Sequence, residues 1–234
     1  MDQKIAESIA SIAEIGAWIY MFVGWVIYWG YRFLIKEDRR LFPIMDRLTW
    51  GGVGLLFLVW LLDGIAASLG KYLATNMLPE TAGVQVVSKP VEWGVLFWAA
   101  KEEIERIGIF QLFSNVYWVG VWLNSLWFGF IHLSGQAVDI AIWPEITILK
   151  PLSTAAFGLA CLAIILRMGL VWAILLHFAA NTVRLVVVTE SVLVNYLLFF
   201  GCVALLVAVG LLSLRQYSVG RSCKELTLAH KTLW

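Results

Sequence analysis

The chain has 234 residues, of which 61% are hydrophobic, with 13 tryptophans, a mean hydropathy of +0.84 and a net charge of +1. That composition is of an integral membrane protein and argues against a soluble domain with a large core. The near-zero charge argues against a nucleic-acid surface, and three cysteines without paired spacing argue against a disulfide framework or a zinc knuckle.

A membrane-spanning helix needs about 20 apolar residues. The first falls at about 12–35, with Trp18, Trp25, Tyr28, Trp29 and Tyr31 suited to the interfacial belts. A second covers about 49–70 and holds a lone Asp63, which either faces the bundle interior or lies near a helix end. Residues 71–90, with Pro79, Glu80, Gly83 and Pro90, read as an extramembrane loop. A third helix runs over about 91–113 and a fourth over about 117–134, ending in His132-Leu133-Ser134-Gly135. Residues 136–147 read as a loop, about 149–167 as the fifth span, and Arg167-Met168-Gly169 as a tight turn. The sixth span is about 169–189 and the seventh about 191–214, followed by a basic tail. The expected fold is all-α: a polytopic membrane helix bundle of about seven spans (six to eight), one domain over 1–234. Positive charge at 36–47, at Arg167 and in the tail puts these three on the cytoplasmic side. The N-terminus does not read as a cleaved signal peptide, nor the C-terminus as a lipidation signal.

Lys101-Glu102-Glu103-Ile104-Glu105-Arg106 carries five charges in six residues of the third helix. A charge at the bilayer centre costs ~2.5–3.5 kcal/mol on insertion scales, so five cost roughly 12–17 kcal/mol before pairing. The cluster therefore sits at the membrane surface or lines a polar cavity. At ~100° per residue, Glu102 and Arg106 fall on one face as an i,i+4 ion pair, and so do Lys101 and Glu105; Glu103 is left without an i+4 base.

Two other stretches are chemically unusual. Phe128 and His132 stand i,i+4 near the end of the fourth span, and His177 and Asn181 stand i,i+4 inside the sixth. Singly, each could be an interfacial residue or a polar contact between helices. Together, three helices place a carboxylate, an imidazole, and an imidazole with an amide, and these groups should converge on one another in an intramembrane polar cavity. A carboxylate beside imidazoles can activate water. His and Asn donors can stabilise a tetrahedral oxyanion. That chemistry suits amide hydrolysis.

A Glu-Glu motif with a following Arg, then Phe-x-x-x-His, then His-x-x-x-Asn, resembles the CAAX protease and bacteriocin-processing (CPBP, Abi) family of intramembrane endopeptidases, which includes the type II CAAX prenyl endopeptidases. The resemblance covers about 93–190, including Gly158, Arg167, Gly169 and Trp172. It departs from the family in the first motif: aligned on Glu102-Glu103, the family's arginine position falls on Ile107, followed by Gly108 at the family's glycine, and the arginine comes one residue early, at Arg106. The resemblance implies a hydrolase in which Glu102 is the general base, helped by His132, Glu103 and Arg106 orient the site, and His177 and Asn181 bind the oxyanion. It implies no cofactor, a peptide or protein substrate, membrane-embedded or lipidated, and a multi-pass protein of a bacterial plasma membrane with a cytoplasmic C-terminus.

Two alternatives stand beside this reading. One is a zinc-dependent version of the same protease, since two His and a carboxylate form a feasible zinc set. The other is a catalytically defunct scaffold or assembly partner for membrane proteins, favoured by the early Arg106. A transporter is weaker, because the chain lacks an internal repeat.

Overall fold

The computed structural model describes residues 1–34, 48–75, 82–113 and 116–231, without the side chains of 31–34 and 216–231. The expected basic loop at 36–47 lies outside them. The described elements are α1 (Gln3–Leu34), α2 (Trp50–Thr75), β1 (Gly83–Ser88), α3 (Trp93–Leu112), α4 (Tyr117–Ile131), α5 (Ala137–Ile142), α6 (Ile146–Met168), α7 (Leu170–Thr182), β2 (Val183–Val188) and α8 (Val192–Lys231). The chain is a helical membrane bundle.

Four helices, α1, α2, α6 and α8, are long and apolar enough to cross a membrane. The centre is α6: 72% of its most apolar window is buried, against 22–39% for the other three. It packs on α8, α4, α2 and α7, while α1 packs on α3 and α4 from the other side. The charged α3 and the shorter α4 and α7 are thus held between long apolar helices, where their polar side chains meet one another instead of lipid.

Close backbone approach fixes α3. A Cβ on Gly24 would lie 2.7 Å from the carbonyl oxygen of Glu105, and one on Gly108 would run into the backbone of Gly24. Small residues permit such helix contacts in membranes, which accounts for glycine at position 108. The turn at Gly169 forms as expected: its φ of 105° suits glycine, and its N–H donates to the carbonyls of Ile164 and Ile165.

Two expectations are corrected. The sixth span does not continue to 189. Its helix stops at Thr182, and Val183–Val188 pairs antiparallel with Gly83–Ser88, inside a segment read as loop. Five of the six residues of β2 are branched or long aliphatics, and the four valines favour an extended backbone. The second correction is α5, a short helix within the segment read as loop at 136–147.

Candidate active site

The charge cluster of α3 divides by burial. Lys101 Nζ meets Glu105 Oε1 at 2.7 Å, the expected i,i+4 pair, and Trp25 Nε1 donates to the same oxygen at 3.0 Å. Arg106 forks onto Glu103, Nε donating to Oε2 at 2.8 Å and Nη2 to Oε1 at 3.1 Å. The expected Glu102–Arg106 pair is therefore replaced by an i,i+3 pair, and Glu103 is the residue with a base. The reason is desolvation. Glu103 and Arg106 are both fully buried, and a buried charge left alone is far more costly than one at a partly wet site. The Glu102 side chain keeps 26% exposure.

The two histidines are held from behind. His132 Nδ1 lies 2.7 Å from the carbonyl oxygen of Phe128, and His177 Nδ1 lies 2.7 Å from Glu103 Oε1. A carbonyl, and a carboxylate already bound by Arg106, can only accept, so each Nδ1 carries the proton and each Nε2 is free to face forward. Both Nε2 atoms face the same oxygen, Glu102 Oε2, His177 at 3.5 Å and His132 at 4.0 Å. The partners of the two Nδ1 atoms fix that orientation.

Phe128 is the apolar hub. Its ring centroid is 3.8 Å from the Arg106 guanidinium carbon and 4.5 Å from the His132 ring, which it meets edge-on. Phe157 packs edge-on against His177 at 5.3 Å. Gly158 makes room for this stack: a Cβ there would come within 2.5 Å of Arg106 Nη1 and 2.9 Å of the Phe128 ring.

Beside the imidazoles lies a cavity of about 470 Å³, lined among others by His132, His177, Asn181, Asp63, Lys150 and Arg184. Glu102 does not line it; its Oε2 is buried and meets no hydrogen-bond donor among the described residues. Asp63 is buried and faces the cavity, the interior option for that residue. Arg184 also faces inward. Its Nε donates to the Ala180 carbonyl at 2.9 Å and its side chain lines the cavity. Asn124 lies away from the cavity. It is fully buried, donates through Nδ2 to the Arg106 carbonyl, and accepts from Tyr20 Oη at 3.2 Å.

Lys71, Asp139 and Lys150 also line the cavity, and sequence reasoning did not single them out. Only the lone intramembrane Asp63 carried a signal. Among the described residues, no group of three or more His, Cys, Asp and Glu is arranged to hold a metal ion. The arrangement is chemically suited to proton transfer: one carboxylate oxygen faces two imidazole nitrogens, and both imidazoles line the cavity.

A helical membrane bundle with Glu, His and Asn gathered from α3, α4 and α7 is the architecture expected of an intramembrane hydrolase. Residues 91–183, which span these three helices, match the family described as type II CAAX prenyl endopeptidase Rce1-like. Over these residues the chain is similar to the CAAX protease family of intramembrane endopeptidases. No curated protein and no solved structure matches it.

Proposed function

We propose that this chain hydrolyses peptide bonds with water activated by Glu102, using a core at 93–190 within one membrane domain of 1–234. A 4.0 Å gap is too long for a direct hydrogen bond and suits a bridging water. Glu102 takes a proton from that water, with His132 as the second acceptor, and the oxygen adds to the substrate carbonyl carbon. Asn181 donates to the resulting oxyanion. His177 does so when its Nε2 is protonated, and Glu103, itself held by Arg106, supports that imidazolium. Collapse breaks the C–N bond, and the proton on Glu102 passes to the departing amine.

The observation that carries this reading is the approach of both Nε2 atoms to one Glu102 oxygen. The scaffold alternative rests on the early arginine; the Arg106–Glu103 fork supports the enzyme reading instead. The family description points to a lipidated peptide, with a membrane-protein or peptide-leader segment as the broader class. The positive charge of the tail supports a C-terminus on the cytoplasmic side.

The test is cleavage of an internally quenched peptide, with a prenylated cysteine near its C-terminus, by purified protein in lipid. Wild type should cleave it and Glu102→Ala should not; equal rates sink the mechanism. The zinc reading draws on the anchored Nδ1 atoms, since ligating imidazoles are oriented in the same way. It predicts one bound metal per chain and loss of cleavage with chelator, whereas the metal-free reaction predicts neither.

A further inference from the structure

The two-stranded sheet leaves one edge open beside the candidate site. Antiparallel residues alternate between those whose N–H and C=O face the partner and those whose groups face away. Lys89 N–H donates to the Thr182 carbonyl at 2.8 Å, in the position next to the Ser88–Val183 pair. Counting back in twos, Val87, Gln85 and Gly83 face β2, while Ser88, Val86 and Val84 turn their backbone groups outward.

The opposite edge confirms the phase. Val183 and Leu185, partners of Ser88 and Val86, turn their carbonyls away from β1 and towards α2. There Trp60 Nε1 donates to Val183 at 2.8 Å and Ser68 Oγ to Leu185 at 3.4 Å. So α2 caps the β2 edge. The β1 edge has no such cover among the described residues: all six positions are exposed, Val84 at 68% and Val86 at 66%. An open edge does not persist in hydrocarbon, so this one faces water or the interface. Natural edge strands are usually blunted by charge or proline, yet Gly83–Ser88 has neither.

We propose that the free edge of β1 binds the peptide substrate as an added strand. This deepens the protease reading and rests on it. The occupant follows from continuity. The ladder is tied to the end of α7, the helix that carries His177 and Asn181, and Arg184, opposite Val87, lines the cavity. A strand added to β1 lies about 10 Å from β2, so roughly three extended residues bridge it to the cavity. Strand addition takes affinity from main-chain hydrogen bonds, which a protease can use on varied sequences.

The probe is the prenylated quenched peptide, cleaved by wild type and bound by the inactive Glu102→Ala protein. Backbone N-methylation at successive residues should raise KM and Kd about tenfold at every second position. Val86→Pro removes one outward N–H without touching the ladder to β2. It should weaken binding and raise KM about tenfold, and should blunt the alternation at the peptide residue opposite Val86. The methylation series on unaltered protein stands even where the proline variant does not fold. Uniform tolerance of N-methylation, or no binding, overturns the docking edge. Alternating affinity without cleavage leaves it standing and sinks the protease reading instead.

Discussion

Arg106 grips Glu103 across less than one turn of α3, with two hydrogen bonds of 2.8 and 3.1 Å and no solvent exposure on either side chain. The arginine stands one residue earlier than the resemblance implies, and it still pairs with a glutamate of the motif. At i,i+3 the two side chains still share a face. The shared carboxylate then holds His177 through the same Oε1 that Arg106 Nη2 reaches.

Removing one member of this pair strands the other. Arg106→Ala should lower stability by about 3–5 kcal/mol, the usual cost of leaving a buried charge unpaired. Arg106→Lys should recover only part, because an ammonium cannot reproduce the two-pronged contact. Thermal unfolding in lipid or detergent, followed for the three proteins side by side, checks the order.

The two adjacent glutamates should separate cleanly. The Glu102 side chain is partly exposed and its Oε2 accepts no hydrogen bond among the described residues, so Glu102→Gln should unfold with wild type while cleavage falls by about 10²–10⁴, the usual worth of a general base. Glu103→Gln should lose stability as well as rate, since Arg106 and His177 both depend on its charge. If the stability losses came out reversed, the assignment of roles would be wrong.

Much of this was legible beforehand, for identifiable reasons. The helices announce themselves by length and apolarity, and the site by polar groups that lipid cannot solvate. The partner of Arg106 was not legible, because i,i+3 and i,i+4 are both feasible on a helix and burial decides between them. Nor was the sheet. Val183–Val188 prolongs an apolar run and reads as more helix, and its partner strand hides in a stretch flanked by Pro79 and Pro90. A pairing between residues about 100 positions apart leaves no local trace.

Gly158 offers a purely steric test. Its missing side chain is the space that Arg106 Nη1 and the Phe128 ring occupy. Gly158→Ala should cost about 1–3 kcal/mol as overpacking. It should also reduce cleavage, because the guanidinium and ring can yield only by disturbing Glu103 and His132. Combining it with Phe128→Leu should recover part of the stability loss, which a double-mutant cycle measures.

Asn124 tests whether the backbone of α3 is held as firmly as its side chains. Its Nδ2 donates to the Arg106 carbonyl while its Oδ1 accepts from Tyr20 Oη, so one amide joins α1, α3 and α4 in a buried setting. Asn124→Ala leaves the Tyr20 hydroxyl without this acceptor and should cost about 1–3 kcal/mol. Asn124→Asp should cost more, since a carboxylate oxygen would face the Arg106 carbonyl where a donor now stands. Tyr20→Phe should cost less than Asn124→Ala, because the amide keeps its bond to Arg106. Should Asn124→Asp prove as stable as wild type by thermal unfolding, α3 is not positioned through this amide, and the close contact of Gly24 with Gly108 must carry it alone.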